Sequence, residues 1–82
     1  MEQEETLGNV VKSWKEFRET NSRKKIKRVF VQWPGEWKLC NILSINDNKG
    51  LIVVETPSGG VIEVNNYKSL RYAKKPLWGF FS

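Results

Sequence analysis

Histidine is missing from this 82-residue chain, and cysteine occurs once, as Cys40. Without them there is no intrachain disulfide, no zinc site of cysteine and histidine, no Cys–His nucleophile and no Ser–His–Asp triad. A Gly-rich phosphate loop with its Lys-Ser/Thr is also missing, and the carboxylates do not cluster at metal-ligand spacing. Ser58 and Ser69 lack an identifiable activator, and Cys40 reads as an inert core thiol. These gaps point away from an enzyme and imply no metal or cofactor. No apolar run approaches the ~20 residues of a membrane span. The first residues include Glu2, Gln3, Glu4 and Glu5, where a signal peptide would be basic and then apolar. An intracellular location (cytoplasm, nucleoid or nucleus) is expected, because a small secreted domain would ordinarily carry several cysteines.

What the chain does carry is positive charge, unevenly placed. Fourteen Lys and Arg face nine Asp and Glu, a net +5. Residues 1–20 hold five acidic and three basic groups, net −2, and the remainder holds eleven basic and four acidic groups, net +7. A cationic body of this kind favours a polyanionic partner. The densest stretch is Arg23-Lys24-Lys25-Ile26-Lys27-Arg28, five cations in six residues. Its functional reading is a strip that neutralises phosphates, so that affinity falls with salt. Its bland reading is a solvated linker that discourages edge pairing.

From Val29 to Tyr72 the chain alternates short apolar runs with turn signals and leaves no room for a long helix. The runs are Val29–Trp33, Trp37–Ile45, Leu51–Glu55 and Val61–Val64. Between them lie Pro34-Gly35-Glu36, Asn46-Asp47-Asn48-Lys49-Gly50 and Thr56-Pro57-Ser58-Gly59-Gly60. Asn66 to Arg71 reads as one 3₁₀ turn leading into a short fifth strand. Runs punctuated in this way predict an antiparallel meander. Five strands this short predict closure into a small barrel, which removes the edges.

Ahead of the barrel, Leu7, Val10, Val11, Trp14 and Phe17 fall at helical spacing and predict one amphipathic helix. Thr6 is its expected N-cap, and Asn21-Ser22 its expected end. Such a helix needs a dock, either the barrel end or the same helix of a second chain in a homodimer. After the barrel, Lys74-Lys75 and Pro76 lead into Leu77-Trp78-Gly79-Phe80-Phe81. That apolar run is expected to fold back onto the barrel or helix, or to enter a protein partner or a second copy of the chain. The division is therefore 1–22 acidic start and helix, 23–28 basic hinge, 29–73 barrel and 74–82 basic and apolar tail.

The ordered series Val29-x-Val31-x-Trp33, Trp37-x-x-Cys40-x-Ile42-x-x-Ile45, the 3₁₀ turn and Leu70-Arg71 resembles the Tudor-like branch of the SH3-like barrels. Residues 28–73 carry the resemblance. It implies a mainly β, five-stranded SH3-like barrel with one N-terminal helix. A looser likeness links Trp37-Lys38, Gly50-Leu51-Ile52-Val53-Val54, a preceding helix and a following basic segment to the C-terminal DNA-binding domain of retroviral integrases. With Met1 at its start and no catalytic core, no integrase activity carries over. A methyl-lysine reader is disfavoured, because the loop from Thr56 to Gly60 has no ring to complete a cage around Trp33, Trp37 and Glu36.

The expected function is binding of DNA or RNA without catalysis. Arg23, Lys24, Lys25, Lys27, Arg28, Lys38, Lys68, Arg71, Lys74 and Lys75 are the candidates for phosphate contact. Trp33, Trp37, Tyr67 and Tyr72 are the candidates for stacking on bases. The competing expectation is a protein-interaction adaptor or inhibitor using Trp33 and Trp37 or the tail. A small Asn- and Lys-rich chain also suits a virus or mobile element.

Overall fold

The computed structural model describes residues 5–74. Six strands and one helix follow in the order β1 (Thr6–Val10), α1 (Trp14–Lys24), β2 (Arg28–Trp33), β3 (Glu36–Asn46), β4 (Leu51–Glu55), β5 (Val61–Val64) and β6 (Leu70–Lys74). A 3₁₀ turn at Tyr67–Ser69 precedes β6. The chain is mainly β, and every strand pair is antiparallel.

Strands β2 to β6 follow the turn chemistry. Gly35, Gly50 and Gly59 end their turns at positive φ, where a side chain would be strained. Asn66 caps the 3₁₀ turn by accepting from the Lys68 amide at 3.0 Å. The expected five-stranded closed barrel is corrected on both points. Among the described residues there are six strands, and the order β1-β6-β2-β3-β4-β5 leaves β1 and β5 as unjoined edges. The sheet is open.

The sixth strand comes from the segment expected to be helical. Leu7 and Val10 lie in β1 and are exposed, so the five-residue apolar face does not exist. Thr6, Gly8 and Val10 are weak helix formers, and β6 offers a row of backbone partners that an isolated helix would not meet. Gly8 makes that pairing possible, since a Cβ there would lie 2.7 Å from the Tyr72 carbonyl oxygen. The N-cap is Ser13, not Thr6: its hydroxyl accepts from the Glu16 amide at 3.1 Å. Glu16 in turn accepts from the Lys12 amide at 3.0 Å, a variant of the reciprocal capping box. Nor does the helix stop at Asn21-Ser22. It runs to Lys24, and Lys25 closes it in the left-handed region at φ 53°.

Register sorts the side chains onto two faces, since directly paired residues share a face. Val29 faces Cys40 and Tyr72, and Val31 faces Leu70. Ile52 faces Ile45 and Val64. This is the core face, and Val11 and Phe17 complete it, both buried. Phe17 stacks on Tyr72 with ring centroids 6.2 Å apart, and Trp14 meets Phe17 and Tyr67 edge-on. The helix therefore docks on its own sheet, covering apolar surface that barrel closure would otherwise have sealed. A side chain the size of Phe17 contributes roughly 1.5–3 kcal/mol by its burial.

Candidate functional site

The densest cationic stretch is not a linker. Arg23 and Lys24 occupy the last turn of α1, Lys25 is its C-cap, and Arg28 begins β2. Asn21 fixes this bend: its side-chain amide donates to the Ile26 carbonyl at 3.1 Å, and its own carbonyl accepts from the Lys25 amide at 2.8 Å. The Lys27 carbonyl is tied to β3 through the Ile42 amide at 2.8 Å. All five cations are exposed, held on a backbone pinned at both ends.

β6 brings a sixth cation to the same place. Two adjacent hollows open where the helix end meets the β1–β6 side of the sheet. The first, about 360 Å³, is lined by Arg23, Lys24 and Lys74 together with Glu16, Thr20 and Tyr72. The second, about 380 Å³, is lined by Lys24, Lys25, Lys27 and Arg28 together with Glu5. Lys24, Ile26 and Ala73 belong to both, so the hollows share a wall. Glu5 forms an ion pair with Arg28.

Lys38 and Arg71 sit elsewhere, each over a tryptophan. The Lys38 ammonium lies 4.9 Å from the Trp33 ring centroid, and the Arg71 guanidinium 5.5 Å from that of Trp37. Such contacts are worth about 0.5–1 kcal/mol at exposed sites. Arg71 is further held by donation from its Nε to the Gly8 carbonyl at 2.9 Å. Lys68 is exposed on the 3₁₀ turn. Arg28 and Trp33 are the two ends of β2, separated by about 17 Å at 3.3 Å per residue.

The four candidate rings divide by face. Tyr67 and Tyr72 pack against Trp14 and Phe17 at the border of the core, and Trp33 also packs against it. Trp37 pairs with Gln32 on the opposite, outer face, which it shares with Phe30, Leu39 and Arg71. Stacking by both tyrosines is thus opposed by their place in the helix–sheet contact. Of the interaction residues, Trp14 and Phe17 belong to that contact, and Val11 to the core. Lys75, Leu77, Trp78, Phe80 and Phe81 lie outside the described residues.

Two groups show shifted acidity. Burial pushes the Cys40 thiol up, against the weaker opposite pull of Lys38, so it is not primed as a thiolate. Burial likewise raises the Tyr72 hydroxyl, and Glu16 adds to the effect; Thr20 and Arg23 oppose it. No hydrogen bond of good geometry satisfies that hydroxyl, although it is buried.

Sequence reasoning did not place Glu16 or Thr20 at this site. The one available signal was the spacing Ser13-x-x-Glu16, which sets the helix phase and turns Glu16, Thr20 and Arg23 toward one side. Among the described residues, no helix is long and apolar enough to cross a membrane. Compared with protein-family models, curated proteins and solved structures, the chain matches none.

Proposed function

We propose that this protein is a non-enzymatic nucleic-acid-binding module that takes phosphates along the side formed by the end of α1, the start of β2 and the end of β6. The observation carrying this reading is the separation of charge across the sheet. Arg23, Lys24, Lys25, Lys27, Arg28 and Lys74 gather around two adjoining hollows. The whole stretch from Leu51 to Val64, which makes β4 and β5, contains Glu55 and Glu63 and not one Lys or Arg. Solubility alone does not require such one-sidedness, whereas a polyanion partner does. Arg71 and Trp37 on the outer face extend the track with one cation and one half-exposed ring. In this reading the sheet is an opened relative of the Tudor-like, SH3-like barrels. Its support is the strand order β6-β2-β3-β4-β5 with the 3₁₀ turn just before β6.

Titration of labelled single- and double-stranded DNA and RNA into the protein at low salt, followed by tryptophan fluorescence and mobility shift, tests the proposal. Micromolar or tighter binding by at least one of the four is expected. Failure of all four to bind below 0.1 mM overturns it.

One observation favours a second reading, an adaptor that binds a protein partner. Leu7 and Val10 are both exposed on the edge strand β1. A partner held there would remain bound at high salt and ignore charge reversal at Lys24 and Lys27.

A further inference from the structure

The hollow between α1 and the β1–β6 pair differs from the rest of the cationic side. The adjoining hollow draws all its cations from one continuous run, Lys24 to Arg28. Here Arg23 and Lys24 come from the last helical turn and Lys74 from the last described strand residue, and they converge on one concavity of about 360 Å³. That volume lies within the range of small-ligand sites. Against these three cations stands one lining carboxylate, Glu16, which leaves a local balance of +2. Thr20 and Asn9 add polar side chains, and Ile26, Ala73 and Tyr72 supply apolar wall.

The helix dipole accounts for part of this charge, since cations in a last turn stabilise its negative end. It does not account for Lys74, which arrives from a different element. Tyr72 lines the same hollow beside Glu16, Thr20 and Arg23.

We propose that this hollow binds a phosphomonoester, the doubly charged phosphate found at a nucleic-acid strand end or on a mononucleotide. The charge balance selects it over the internal phosphodiester. A monoester carries about −1.5 to −2 at neutral pH, close to the +2 of the site. A hollow walled by helix and sheet also suits a group that enters and stops, whereas a continuous strand must enter and leave. The strand-end source rests on the nucleic-acid reading above, and the mononucleotide source does not.

The test compares one oligonucleotide with hydroxyl ends, with a 5′-phosphate and with a 3′-phosphate, alongside adenosine monophosphate and inorganic phosphate. At least one phosphorylated end is expected to bind fivefold or more tightly than the hydroxyl-ended strand. Lys74→Ala is expected to bring that ratio near one. Lys27→Ala, on the cationic track but outside this hollow, lowers both affinities and leaves the ratio in place. Equal affinity of the three strands, with no shift of the Thr20, Tyr72 or Ala73 amide resonances by either small ligand, overturns the phosphomonoester site even where salt-dependent strand binding persists. If no strand binds but adenosine monophosphate or phosphate shifts those resonances, the site stands and the strand-binding reading fails.

Discussion

The two ends of this sheet are built alike and charged oppositely. At one end β1, β6 and β2 run beside the helix terminus, and six cations crowd around their meeting point. At the other, β4 and β5 form a short hairpin closed by Thr56, whose hydroxyl accepts from the Gly60 amide at 3.0 Å. The hairpin's two charged side chains are both acidic. Both ends feed the same core: Ile52, Val54 and Val64 from one, Val29, Leu70 and Phe17 from the other. Burial therefore makes no distinction between them. What differs is the polar surface, which is where a partner is chosen.

The largest way to break the comparison is to cut the core that both ends share. Phe17→Ala removes a fully buried ring and is expected to cost about 3–5 kcal/mol in denaturant unfolding. That is a fifth or more of the ~5–15 kcal/mol holding a domain together. It should also loosen Arg23 and Lys24 from the sheet, since both ride on the same helix.

Charge reversal sharpens the comparison without touching the core. Lys24→Glu with Lys27→Glu changes two exposed side chains and should weaken nucleic-acid binding tenfold or more, a loss of about 1.4 kcal/mol or above. Glu55→Gln with Glu63→Gln at the opposite end should change it by less than about twofold in the same assay, in keeping with screening over roughly 10 Å at 0.1 M salt. The two variants change net charge by −4 and +2. A strengthening by the second about half as large on a log scale as the weakening by the first would mean that net charge, not its placement, governs binding.

Smaller still is the helix cap. Ser13→Ala deletes the hydroxyl that accepts from Glu16 and should cost about 1 kcal/mol, read as a lowered denaturation midpoint. Alkaline titration isolates Tyr72. Burial holds its folded pKa above the ordinary value near 10, so the unfolded chain ionises first. The stability linked to this group is complete below about pH 10 and is lost as pH rises through the folded pKa. Tyr72→Phe should flatten that alkaline fall.

Residues 28–74 were legible because their signals are local. Pro34-Gly35, Asn46 to Gly50 and Thr56 to Gly60 each demand a turn, and the apolar runs between them fit strands. Residues 6–11 were misread because Leu7, Val10 and Val11 continue the helical spacing of Trp14 and Phe17 back through Gly8. Only Ser13-x-x-Glu16 marked the true start, and only the vacant edge of β6 explains why the preceding residues extend. The helix break at Asn21-Ser22 failed for a similar reason, since Asn21 bonds to the turn that follows and does not end the helix before it. Closure failed because alternation within strands specifies faces but does not specify whether the first and last edges meet.

The candidate site was legible as a composition and not as a place. Arg23 to Arg28 stand out as a run, but Lys74 joins them only because β6 returns beside β2 and receives β1 on its other side. Lys38 and Arg71 looked equivalent to them in sequence. In the fold each lies over a neighbouring tryptophan, a pairing set by strand register.

Phosphates bound by the cations gathered at one end of the sheet would make affinity fall steeply with salt. The slope of log affinity against log salt for a single-stranded oligonucleotide measures this directly. Five contacted phosphates predict a slope of about −3.5, on the order of a hundredfold loss between 50 and 200 mM salt. The Lys24→Glu, Lys27→Glu variant should show a shallower slope by one or more. A slope near zero, or one that the variant leaves unaltered, would contradict the account.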